Sequence, residues 1–117
     1  MSLGFGAETA PSVPTRHPAI GYLVALVGAA FAVAPATFRS AGRGTAKESR
    51  ARQVAMYLAH TRLGLSYTAA AACFGRDRTT AAHACRTVEE QREDPALDAM
   101  VDLLERAVDV SSARVLS

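Results

Sequence analysis

The chain has 117 residues, half of them apolar, and a formal net charge of +2. That length supports one compact domain with a modest core rather than two. The small net charge hides an uneven distribution: residues 39–62 carry Arg39, Arg43, Lys47, Arg50, Arg52 and Arg62 against Glu48 alone, whereas from residue 93 onward six acids face only Arg106 and Arg114. A basic middle and an acidic end predict a surface for a polyanion on one side of the domain, with an acidic helix held away from it.

In chain order, residues 1–18 are rich in Gly, Pro, Ser and Thr and read as a flexible leader. Residues 19–34 are uncharged and lie between Pro18 and Pro35. Ile20, Leu23, Leu26 or Val27, and Phe31 fall on one stripe, which predicts a first helix. A membrane or export segment over 19–38 is the competing reading. Against it, the run is shorter than the ~20 residues a span needs, and Arg16 is the only basic residue before it. Residues 35–41 suit a short helical turn begun by Pro35. The sequence Gly-Arg-Gly-Thr at 42–45 then makes a basic, flexible loop, of the kind that tracks a phosphate backbone or puts an arginine into a minor groove.

Residues 47–63 read as a long helix with apolar anchors at Val54, Tyr57 and Leu58, followed by Leu65 just beyond its end. Arg50, Arg52 and Gln53 gather at its start, where charge-assisted bonds and unpaired backbone N–H groups hold phosphates. Gly64 ends this helix and Ser66 caps the next, over 67–74, whose inner side includes Ala70, Ala71 and Phe74. Gly75 turns the chain, and Asp77 caps a helix from Arg78 onward. On a 3.6-residue repeat Ala81, Ala84, Cys85 and Val88 point inward. Thr80, His83 and Thr87 point outward, with Arg76 and Arg78 near the start. Two helices joined by a tight turn have the outline of a helix-turn-helix, whose second helix would read DNA in the major groove.

Asp94 and Pro95 open a last helix over 94–109, with Leu97, Met100 or Val101, Leu104 and Val108 as its apolar stripe. Residues 110–117 read as a frayed tail. Cys73 and Cys85 have no Cys-x-x-Cys spacing and read as small buried hydrophobes. His83 and Cys85, two apart on a helix, point to different faces, so no metal is assigned. No nucleophile paired with a base is evident, and neither catalysis nor a cofactor is expected.

Two blocks carry a more specific signal: Arg-Gln-Val-Ala-Met-Tyr-Leu-Ala at 52–59 and Phe-Gly-Arg-Asp-Arg-Thr-Thr-Ala-Ala-His-Ala-Cys-Arg-Thr-Val-Glu at 74–89. Together they resemble the C-terminal DNA-binding domain of the bacterial replication initiator DnaA, over about residues 20–92. The resemblance implies an all-α bundle with a helix-turn-helix and a preceding basic loop, binding short asymmetric duplex sites called DnaA boxes. It implies base contacts from Asp77, Arg78, Thr79 and Thr80, and backbone contacts from Arg52, Gln53 and His83, to which Arg50 and Arg76 are added as candidates. For the minor groove it implies an arginine of the 39–43 region, which makes Arg39, Arg43 and Lys47 the basic-loop candidates.

The chain departs from that pattern in three ways. A second glycine usually precedes the position of Arg76, and a histidine usually stands at Arg78. Thr87 occupies a place that is often basic. No Gly-x-x-x-x-Gly-Lys-Ser/Thr loop is present, so no ATPase activity is expected. The expectation is therefore one helical DNA-binding domain over 19–109, with the helix-turn-helix at about 66–92, acting in the cytoplasm at the nucleoid. It would be a transcriptional regulator or a replication-related factor that takes no small-molecule substrate. The runner-up is a membrane-anchored or exported interaction protein using 19–38.

Overall fold

The computed structural model describes residues 17–42 and 44–116. Most of the expected leader, Arg43 and Ser117 lie outside the described residues. The elements in order are α1 (Ile20–Phe31), a 3-10 helix (Pro35–Arg39), α2 (Ala46–Thr61), α3 (Tyr67–Ala72), α4 (Arg78–Gln91) and α5 (Pro95–Leu116). The protein is all-α, and α3, the turn after it and α4 form the helix-turn-helix.

Helix α1 buries Leu23, Val27 and Gly28 against α2 and α5. It stops at Ala32, a left-handed residue at φ 57°, and the Val33 N–H donates back to Gly28 O at 2.8 Å. The returning chain passes so close that a Cβ on Gly28 would stand 2.5 Å from Val33 O. This reversal brings Phe38 of the 3-10 helix into the core, where its ring tilts against Phe74 at 6.3 Å. Among the described residues no helix is long and apolar enough to cross a membrane. Of the apolar run 19–34, Ala19, Leu23, Val27, Gly28 and Val33 are buried in the bundle.

Helix α2 is the central rod, in contact with α1, the 3-10 helix, α3, α4 and α5. It begins earlier than the expected residue 47, because Thr45 and Glu48 form a capping box: Thr45 Oγ1 accepts from the Glu48 N–H, and Glu48 Oε1 accepts from the Thr45 N–H. Gly64, at φ 73°, ends it. At that corner His60 stacks on Tyr67 at 4.2 Å, and its Nδ1 meets Leu65 O at 2.7 Å.

Ser66 caps α3 through the Ala69 N–H, and Ala69, Ala70 and Ala71 are buried. These small residues let α3 lie close to α4, whose inner stripe is Ala81, Ala84, Cys85 and Val88, as the sequence predicts. The helix ends at Ala72 rather than Phe74, and Gly75 makes the turn at φ 66°.

Helix α5 buries Leu97, Val101, Leu104 and Val108, which resolves the choice at 100–101 in favour of valine. It continues to Leu116, where a frayed tail from residue 110 was expected. Arg92 ties its start to the bundle, donating to Asp98 at 2.7 Å, Glu105 at 2.9 Å and the Tyr57 hydroxyl at 3.1 Å. Arg62, at the end of α2, pairs with Asp109. Part of the acidic end is therefore spent on internal arginines.

Candidate nucleic-acid interface

An open groove of about 760 Å³ runs between the loop at 41–42, the first half of α2, and the turn and first half of α4 in the helix-turn-helix. Ser49, Arg52 and Gln53 form its α2 wall; Arg76, Thr80 and His83 form the opposite wall. Helical spacing explains the first set, since residues 49, 52 and 53 lie on one face at i, i+3 and i+4. The same rule brings Thr80 and His83 together one turn apart. A second, shallower hollow on the outer face of α4 is lined by Asp77, Thr79, Thr80, His83 and Arg86. Residues separated by 23 to 34 positions in sequence thus share one surface, with exposed polar side chains at the N-terminal end of a helix.

Asp77 shapes that end. Its Oδ1 accepts from the Thr80 N–H at 2.9 Å and from Thr80 Oγ1 at 3.1 Å. The backbone bond first, and then the hydroxyl bond, hold the carboxyl below the usual range. Asp77, Arg78, Thr79 and His83 are exposed and Thr80 is half-buried. His83 Nε2 lies 3.4 Å from Thr87 Oγ1, one turn further along.

The arginines are distributed differently from the sequence expectation. Arg52 is only 5% exposed; its Nε donates to Phe38 O at 3.2 Å and its Nη2 to Thr37 O at 3.4 Å. It presents its edge to the groove while holding the 3-10 helix. Burial, and then the positive charge of Arg76, push its pKa below the usual guanidinium value, with Glu48 opposing. Two cations on facing walls, with one acid near, make the groove attractive to an anion.

Arg76 also lines the groove, yet its terminal nitrogens are engaged: Nη1 donates to Phe74 O at 2.9 Å, and Nη2 to Ser40 O at 3.0 Å and Gly42 O at 2.8 Å. Arg39 does not point into the groove. It donates to Cys73 O and borders a separate apolar hollow with Ile20, Val24, Phe38 and Phe74. Arg50 and Lys47 are exposed on α2 but outside the groove lining, and Arg43 lies outside the described residues.

Ser49 and Arg86 belong to this surface and escape the reading by motif. Their signal was available in the spacing, because Ser49 precedes Arg52 and Gln53 by one turn and Arg86 follows His83 by three. Cys73 and Cys85 are buried within the bundle, and burial raises both thiols, that of Cys85 to about 11. They act as core residues. Among the described residues no group of three His, Cys, Asp or Glu side chains is placed to hold a metal.

Comparison with known proteins gives a consistent pattern. The family described as "Bacterial dnaA protein helix-turn-helix" matches residues 20–88, more than half of the chain, and this span contains the groove, the loop and α4 up to its last turn. Two curated proteins, each called chromosomal replication initiator protein DnaA 2, from Chlamydia trachomatis and Chlamydia muridarum, are 49% identical to it over 47 residues. The matched part is 40% of this chain and 10% of each relative.

Proposed function

The chain belongs to the bacterial DnaA helix-turn-helix family, and from that premise we propose that it binds duplex DNA at short asymmetric sites of the DnaA-box type. The observation that carries this reading is the shared groove: the start of α4 and the Arg52–Gln53 edge of α2 face one open cleft. With α4 in the major groove, the exposed groups of its first turn meet base edges. Asp77 has a second carboxylate oxygen beside the one that caps the helix, suited to a cytosine amino group. Arg78 can fork onto a guanine, while Thr79 and Thr80 offer hydroxyls and methyls, the latter to thymine.

Gln53 and His83 flank the first turn and would grip the phosphates that fix its register, with the buried charge of Arg52 and the half-buried charge of Arg76 behind them. Lys47, Arg50 and Arg86 add to the positive field around the cleft and speed encounter. The basic loop beside the start of α4 is the segment this reading assigns to the adjacent minor groove. In this reading the protein acts by occupancy, as a transcriptional regulator or as a competitor for origin sites, in the cytoplasm at the nucleoid.

Selection of bound sequences from a random duplex library tests the proposal. Enrichment of one short, non-palindromic motif is the expected result. Recovery of an unenriched library would overturn sequence reading and leave only charge-driven binding.

A further inference from the structure

We propose that Arg39 and Arg76 form a reciprocal latch between the basic loop and the helix-turn-helix, and act on DNA recognition as positioning residues rather than as contacts to DNA. The inference rests on the DNA-binding reading above and adds a mechanism to it. The two arginines come from opposite sides of one joint. Arg39, at the end of the 3-10 helix, reaches to Cys73 O in the turn after α3. Arg76, in the turn before α4, reaches back 34 to 36 residues to Gly42 O and Ser40 O.

Three features support the assignment. The carbonyls of Cys73 and Phe74 follow the last turn of α3, where a helix leaves its oxygens without intrahelical partners, so a guanidinium placed there satisfies them with charge-assisted bonds. Gly42 sits at φ 80°, a left-handed conformation in which its carbonyl meets Arg76 Nη2 and which other residues rarely adopt. A guanidinium has five N–H groups, and Arg76 uses three on carbonyls within 3.0 Å. Turning it out to a phosphate would strip these partners from the loop. Held in place, the joint fixes the distance between a loop suited to one DNA groove and a helix suited to the other, and a pre-set spacing lowers the ordering cost of binding.

A double-mutant cycle on the full chain separates a latch from two independent contacts. Arg39→Gln, Arg76→Gln and the double variant are compared by the affinity ratio between the duplex selected by the wild type and a shuffled duplex, with salt dependence measured for each. A latch is broken once by either change. Each single variant should lower the ratio about tenfold, and the double should lower it less than about fivefold further, with salt slopes near the wild-type value.

Additive losses, about a hundredfold in the double, with the slope shallower by about one per arginine removed, would make both residues phosphate contacts and overturn the latch. If Arg76→Gln fails to fold, Arg76→Lys replaces it. A point donor cannot span the Ser40 and Gly42 carbonyls, so full retention of the ratio by lysine overturns the proposal and its loss supports it. Should the wild type itself not discriminate between the duplexes, the DNA reading fails. The latch is then judged by amide hydrogen exchange at residues 40–42 of the free protein, where faster exchange in Arg76→Gln supports it and unchanged exchange overturns it.

Discussion

Asp77 and Thr80 are joined twice by a single oxygen: Asp77 Oδ1 accepts both the backbone N–H and the hydroxyl of Thr80. The residue that caps α4 is thereby coupled to a residue proposed to read a base. Asp77→Asn keeps a side-chain acceptor at the cap and Asp77→Ala does not. The alanine variant should melt at a lower temperature than the asparagine variant, while both lose discrimination at the same base pair. Thermal melts beside binding titrations check this; loss of discrimination only in the variant that melts early would mean that Asp77 serves folding alone.

Arg52 is expected to matter for folding as well as for binding. Arg52→Ala leaves the Phe38 and Thr37 carbonyls without this donor beside a buried void, and the loss should be about 2 kcal/mol in denaturant unfolding. Arg52→Lys should not restore it, because one ammonium cannot reproduce the forked geometry. Stability unchanged by either substitution would contradict the inward role.

That dual role is set by contacts distant in sequence, unlike the features legible from the sequence itself. Stripes such as Ala81, Ala84, Cys85 and Val88, the caps at Ser66 and Asp77, and the stops at Gly64 and Gly75 depend on neighbours within a turn or two, and all were legible. The Thr45–Glu48 capping box was equally local and places the helix start one residue before the expected 47. Apart from the neighbouring carbonyls that Arg76 also reaches, the partners of Arg39, Arg52 and Arg76 lie 14 to 36 residues away. No spacing rule distinguishes an arginine that grips backbone carbonyls from one left for a phosphate. The length of α5 was missed because Ser111 and Ser112 are weak helix formers, which reads as an end when the helix in fact continues.

Gly28 should tolerate no side chain. The Cβ of Gly28→Ala would meet Val33 O at 2.5 Å, a backbone atom that can move only by opening the reversal after α1. A destabilisation of about 1–3 kcal/mol is expected. In folded protein below the melting transition, DNA affinity should be retained, since Gly28 lies away from the groove. A melting temperature equal to the wild type would show that the reversal yields easily.

The Arg62–Asp109 pair gives a pH signature. Bonding from Arg62, its largest cause, holds the Asp109 carboxyl below its usual value. A depressed folded-state pKa means that the contribution is present above the unfolded value of about 3.9 and is lost as pH falls through the lower folded value. Both side chains are over a third exposed, so the pair is worth less than about 1 kcal/mol. The gap in stability between wild type and Asp109→Asn should be small near neutral pH and close on acidification. A gap that widens with acid would contradict this sign.

The most direct test of the DNA-binding reading is the affinity ratio between a box-containing duplex and its shuffled counterpart, measured at one salt concentration for the wild type, Thr80→Ala and Gln53→Ala. The expected result is a wild-type preference that Thr80→Ala erodes by about 1–3 kcal/mol, whereas Gln53→Ala weakens both duplexes alike and leaves the ratio intact. Equal affinity of the wild type for both duplexes, or a ratio indifferent to Thr80, would contradict it.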